Sequence, residues 1–484
     1  MKALRITSVI VIIALLLALV PSAFAGPPPG NWVSGIACQN LSTTDPATVT
    51  LKFYPEDSST AVLEYTDPTP IPANGSRNYY TPSTPPGIPS GFMGAVVVES
   101  TTELACNVNT QTTGSGTTSD PYRIGTSAGF SSGETAGTMY APQVMKNLAG
   151  TWSSYIAVQN TELSDVSVTI SYKDSAGNTV AAAEETATIK AQSNKVFYQT
   201  DNAGLANGFV GAATIKANPD TSKLAVTVNF YNSGTSSSTA QLHSYNGFSS
   251  GAQKLYVPRI VRNFYGYNGG LSIQNISEST ATTVSIKFFF AGNTYNYTSP
   301  SIAPGAALAL YAPNMSELAP VDSLAENVRF GSAEITSASA DVVAIVNEDN
   351  RGGASVPAER VGQGSSYNAI PDGNQSTTVF FAQITRRAGG IFSGGFQVAN
   401  TLNTAGTCSI TYSGASAANE SNVPLPANGS IARYGPTVSN LPDGFNSSVN
   451  VTCTQNIVGI SNLAAEPGTG KYGDSFTQGN GLNQ

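Results

Sequence analysis

One short strand motif returns four times along the chain, and its spacing limits what the rest can be. Ile36-Ala37-Cys38-Gln39-Asn40, Ile156-Ala157-Val158-Gln159-Asn160, Leu271-Ser272-Ile273-Gln274-Asn275 and Phe396-Gln397-Val398-Ala399-Asn400 place their asparagines 120, 115 and 125 residues apart. Self-similarity at such a period marks tandem copies of one unit, not a single large domain. Each copy is long enough to bury a core of its own.

The copies read as β-structure. Behind each anchor motif apolar residues alternate with polar ones: Val49, Leu51, Phe53; Val166, Val168, Ile170, Tyr172; Val284, Ile286, Phe288, Phe290; Cys408, Ile410, Tyr412. Period-two alternation describes a sheet with one face buried. Pro72-Ala73-Asn74-Gly75-Ser76 and Pro426-Ala427-Asn428-Gly429-Ser430 supply tight hairpin turns. A Gly-Phe step opens the next strand at Gly91-Phe92, Gly208-Phe209 and Gly444-Phe445, and a last core strand ends on Asn109, Asn229, Asn347 or Asn462. An additional strand opens three copies: Met139–Met145, Leu255–Val261 and Val379–Ile384. The first copy has no counterpart.

About seven strands per copy with no amphipathic helix predict an all-β chain of four tandem immunoglobulin-like sandwiches. The expected units are 26–136, 137–252, 253–376 and 377–484, and the lack of long linkers predicts a semi-rigid rod.

Residues 1–25 read as a signal peptide. Lys2 and Arg5 precede the apolar run Val9–Val20, and Ala23-Phe24-Ala25 offers the cleavage site. No second apolar run of spanning length follows, so a secreted or surface-held product without membrane insertion is expected. The chain carries 22 basic and 30 acidic residues, and Lys2 and Arg5 leave with the leader. That mild acidity argues against nucleic acid as a partner.

Four cysteines in an exported chain read as two disulfides, with three possible pairings. Cys38 lies on the first anchor strand and Cys106 on the last core strand of the same copy, while Cys408 and Cys453 fall together in copy four. Pairing within each copy staples the two terminal units at roughly 3–4 kcal/mol per bridge. The first bridge resembles the inter-sheet disulfide of immunoglobulin domains.

Catalytic signals are sparse, and no catalytic, cofactor-binding or metal residues are assigned. Gly125-Thr126-Ser127-Ala128-Gly129, Gly129–Gly133 and Gly247–Gly251 fit the nucleophile-elbow pattern but lack its strand, helix and histidine base, so they read as Gly/Ser-rich loops. His243, the only histidine, sits among polar residues and reads as a surface or loop side chain. Glu348-Asp349 would suit calcium chemically, yet no calcium-loop spacing surrounds them. Asn40, Asn74, Asn275 and Asn428 head glycosylation triplets. Trp32, Trp152, Tyr265 and Tyr267 precede or open anchor strands, where aromatics pack one copy on the next or stack on sugar rings.

Tyr256–Ile260, Ile273–Asn275 and Thr282–Phe288 together make a Tyr-x-Pro strand, an Ile-Gln-Asn strand and a Thr/Val-rich strand. In this the chain resembles uncharacterised exported bacterial (Chloroflexota-type) β-sandwich repeat proteins. The resemblance implies an extracellular repeat protein and carries over no catalytic residues. The function expected is a cell-surface structural subunit of a sheath, surface layer or filament, joined end to end or by strand addition. The alternatives are a secreted adhesin or carbohydrate-binding protein and, behind it, a hydrolase. Self-association, other surface proteins and glycans are the partners to consider.

Overall fold

The computed structural model describes residues 30–483 apart from residue 355, and the expected leader lies outside the described residues. Among the described residues the chain is built from strands and short 3-10 turns, and no helix is long and apolar enough to cross a membrane.

The first unit contains β1 (Trp32–Asn40), β2 (Val49–Pro55), β3 (Leu63–Thr66), β4 (Ser76–Tyr80), β5 (Gly94–Ser100), β6 (Leu104–Thr112) and β7 (Ile124–Ala128). They form the sheets β4-β1-β6-β7 and β3-β2-β5. The second unit adds β8 (Thr138–Lys146), then β9 (Trp152–Asn160), β10 (Val166–Asp174), β11 (Glu185–Ile189), β12 (Asn194–Tyr198), β13 (Phe209–Asn218), β14 (Leu224–Ser233) and β15 (Ala240–Asn246). Its sheets are β12-β9-β14-β15 and β11-β10-β13-β8, both antiparallel. The leading strand β8 therefore completes the sheet opposite the anchor strand β9. Units three and four repeat this plan, with leading strands Lys254–Val261 and Ser376–Arg386 and anchor strands Tyr267–Asn275 and Phe392–Asn400. In unit four two core strands run together as Phe445–Ala465, which pairs in both sheets.

The anchor asparagine explains why its motif recurs. Asn160, fully buried, donates through Nδ2 to the carbonyls of Ser164 (2.7 Å), Ile189 (3.1 Å) and Lys190 (3.2 Å), and its Oδ1 accepts from the Glu162 amide. Asn40, Asn275 and Asn400 make the same bonds to the loops that follow them. One side chain thus satisfies the buried backbone groups where the chain crosses between sheets. These bonds also fix which positions correspond between units: Ala47 opposite Ile71 matches Val166 opposite Ile189, so Val168 is the counterpart of Val49. Asn40 and Asn275 are buried to 0% exposure, so these two glycosylation triplets are closed in the folded chain.

A second repeated device holds the leading strand. In units two and three its pairing slips beside a proline, leaving Pro142-Gln143 and Pro258-Arg259 outside the ladder. Tyr245 donates its hydroxyl to the Gln143 carbonyl at 2.6 Å and accepts from the Gln143 amide, and Tyr367 does the same for Arg259. The bulge and the tyrosine occur together because each leaves the other unsatisfied when alone.

The units close into a ring, not the expected rod. The strands that end each unit, β7, β15, Gly364–Asn368 and Phe476–Asn480, are neighbours in a closed cycle around a central axis. Asn368 accepts from the Asn246 amide and donates to its carbonyl, Asn480 treats Asn368 in the same way, and Asn246 donates to the Ala128 carbonyl. Asp474, wholly buried, accepts from the amides of Leu242 in unit two (2.9 Å) and Gly364 in unit three (2.8 Å). Burial pushes its carboxyl well up, against the opposing pull of those amides and of Arg123.

Between units, the outward face of one anchor sheet covers the leading-strand sheet of the unit before. Ile345 of unit three joins the core of unit two, and Ile460 of unit four joins the core of unit three. Ser272 donates to the Pro142 carbonyl, Gln397 to the Pro258 carbonyl, and Asn347 to Gln143. Unit one packs on unit four by polar bonds: Gln39 to Asn450, Asn109 to Gln383, and Ser76 with Ser447.

Both disulfides exist as paired in the sequence, Cys38–Cys106 and Cys408–Cys453. Their layout differs from the immunoglobulin comparison. Each joins directly opposite residues of two neighbouring strands in one sheet, with Cα atoms 4.1 and 4.0 Å apart, so neither bridges the two layers.

Two stability changes follow. Asn275→Ala strips partners from buried carbonyls and lowers stability by about 1–3 kcal/mol in urea unfolding. Arg259 and Glu348 form a buried two-pronged pair at 2.9 Å. Glu348→Gln leaves the guanidinium uncompensated and costs about 3–5 kcal/mol, while Arg259→Met with Glu348→Met costs less than either single change.

Candidate functional site

Unit one is the place where the repeated plan is left incomplete. Among the described residues nothing pairs with β5 on the side that β8 occupies against β13. The core-facing residues of β5 are Val96 and Val98, directly opposite Phe53 and Leu51. Both are half-buried, whereas their counterparts Ala213 and Ile215, Ala333 and Ile335, Val449 and Val451 are all buried. Across the sandwich Cys106 and Val108 are half-buried too, where Val226 and Val228 are at 0% exposure. The result is a slot with an apolar floor and a free strand edge.

Unit two adjoins β5 through β12. Tyr155 stands on β9 where the other anchor strands carry Gly35, Gly270 and Gly395. Those glycines lie beside Asn109, Asn347 and Asn462, and the first two asparagines receive the neighbouring leading strand through Gln383 and Gln143. At the junction of units one and two no such strand arrives among the described residues. Tyr155 is half-buried there, with ring centroids 5.5 Å from Tyr198 and 6.3 Å from Tyr231. The junction is held instead by Ser193 donating to the Pro55 carbonyl, Val196 to Glu56, and Lys195 paired with Asp57.

The aromatic residues singled out in the sequence are not gathered into one surface. Tyr267 is 7% exposed, bonded to Gln363 and packed on Phe476 of unit four. Trp152 packs edge-on against His243 at 5.4 Å and lies 6.0 Å from Phe230. Trp32 is half-buried at the start of β1, and Tyr265 is 38% exposed beside Phe264.

His243 is a correction. It lies on β15, 3% exposed, stacked on Phe230 at 4.7 Å, with Nδ1 at 3.1 Å from the Ser366 hydroxyl. Its polar sequence neighbours serve the ring axis, not solvent. Gly125–Ala128 likewise belongs to strand β7, so this Gly-x-Ser-x-Gly match is a strand and not a loop. Glu348 is occupied by Arg259 and Gln478, and Asp349 by Arg351. No group of three or more His, Cys, Asp or Glu with metal-binding geometry occurs among the described residues.

The strand that closes each unit escaped the sequence reading. In retrospect Ser244-Tyr245-Asn246 and Ser366-Tyr367-Asn368 were its signal, weakened in Thr126-Ser127-Ala128 and Gln478-Gly479-Asn480.

Burial holds His243 down at about 3, against about 6.5 in an unfolded chain. The unfolded chain binds a proton below about pH 6.5 that the folded chain refuses, so this residue's contribution to stability falls with falling pH by up to about 1.4 kcal/mol per unit. Between pH 6.5 and 5, His243→Gln is expected to remove this slope in urea titrations.

No protein-family model matches the chain, and no curated protein matches it. Among solved structures, a quarter of the chain (25%) aligns with 96% of Thermotoga maritima 1070 at 16% identity and a TM-score of 0.19. The Anabaena sensory rhodopsin transducer aligns over 93% of its length with 19% of this chain, at 14% identity and a TM-score of 0.15. A serine-rich repeat adhesion glycoprotein of Streptococcus agalactiae aligns over 89% of its length with 56% of the chain, at 9% identity and a TM-score of 0.12. Likeness at these scores assigns no function.

Proposed function

We propose that the chain is an extracellular structural protein of the cell surface, a subunit of a sheath, surface layer or filament that joins its neighbours by strand addition. The observation that carries this reading is the unpaired edge of β5 above a half-exposed apolar floor. An open sheet edge is a template for a strand from another chain, and the backbone bonds it offers are indifferent to partner sequence. The two disulfides suit the non-reducing environment such a protein works in. Ring closure favours strand addition over end-to-end stacking, because the faces of units one and four that would stack are already used on each other.

An adhesin or carbohydrate-binding protein is the second reading, favoured by the exposed ring of Tyr265. Electron microscopy of the mature protein on its cells separates the two. Continuous polymer or lattice at the surface is expected, and monodisperse molecules with no surface array reject the structural reading.

A further inference from the structure

The three filled slots spell out what fills the fourth. The leading strands face the core with Met139, Ala141 and Val144; with Leu255, Val257 and Ile260; and with Val379, Phe381 and Ile384, all buried. Two residues after the last apolar position each carries a cation: Lys146, Arg262 or Arg386. Lys146 donates to the Asn202 carbonyl at 2.7 Å, Arg262 to the Met315 carbonyl at 3.0 Å, and Arg386 to the Val438 carbonyl at 2.9 Å. These carbonyls lie in the loop or 3-10 segment before the Gly-Phe strand or its equivalent. The common pattern is apolar, any, apolar, any, any, apolar, any, basic.

We infer that the slot of unit one accepts an extended segment of another polypeptide that carries this pattern, pairing antiparallel to β5 and burying its apolar residues on Val96, Val98 and Val108. The inference rests on the assembly reading above and gives it a donor. The site is continuous with an established interface, because at the three complete junctions the same strand both finishes its own sheet and supports the next unit. The donor comes from outside this ring. The chain's own three leading strands are already paired. In the sequence before β1, Gly26-Pro27-Pro28-Pro29-Gly30, three of the five residues are prolines, which offer no amide hydrogens to a ladder. Tyr155 adds a restriction: where Gln143 reaches past Gly270, a donor on unit one meets an aromatic ring, so that position takes a small residue.

The probe is a nine-residue fluorescent peptide with the sequence of Thr138–Lys146 carrying Gln143→Gly, titrated into mature full-length protein and followed by anisotropy. Saturable one-to-one binding is expected, lost with Val144→Asp in the peptide and weakened at least tenfold with Lys146→Glu. Val98→Lys in the protein is expected to abolish it. As a control for folding, the same nine residues are fused ahead of residue 27. This self-complemented protein is expected to melt several degrees higher, to protect β5 amides from hydrogen exchange, and to refuse free peptide. Binding no better than a scrambled peptide, or a fusion that leaves β5 exchange unchanged, overturns the inference. Peptide binding by a protein that forms no surface array would keep the slot and remove the assembly reading, while an array from a protein that ignores the peptide would do the reverse.

Discussion

The anchor sheets of units three and four have two faces, and the outer one leaves water as well. In an isolated sandwich that face would be wet. Here it is the lid of the preceding unit, and residues such as Ile345 and Ile460 belong by sequence to one unit and by packing to another. Burying an isoleucine side chain contributes roughly 1.5–3 kcal/mol, so the junctions of the middle units are part of the core. The ring, the polar axis and the exceptional place of unit one all depend on this sharing.

Unit one differs from the others at both of its junctions. On one side it meets unit four through amides and hydroxyls, and on the other it meets unit two through Ser193, Val196 and Lys195. It has no leading strand among the described residues and, at Ala128, no side-chain amide to continue the asparagine ladder. Its cross-strand disulfide lies in the sheet that faces the slot. The unit with the thinnest core therefore has a covalent staple where the second layer is incomplete.

Much of this was legible in the residues themselves. The anchor asparagines could be found because each does the same work within its own unit, so selection of the same side chain recurs at the same place. The leading strands were legible for the same reason, and the cysteine pairing because each pair falls within one copy. The closing strands were not: Gly125, His243, Ser365 and Thr477 occupy one position, and only the last two share a hydroxyl, because each faces different neighbours across the axis. His243 looked solvated from its sequence neighbours, and only the arrival of Phe230 and Ser366 makes it dry. Ring closure is a relation among units, and no single period contains it.

Closure also changes what duplication can do to such a gene. A solenoid gains or loses a repeat and remains a solenoid, since each copy needs only the one before it. In this ring the axial cycle of four strands fixes the angle between neighbours, and Asp474 binds the second and third units from the fourth. A fifth copy would find no place at the axis, and a chain with three would leave the outer face of an anchor sheet bare. Copy number is therefore a folded-state property here, held constant by geometry while the individual copies are left free to diverge.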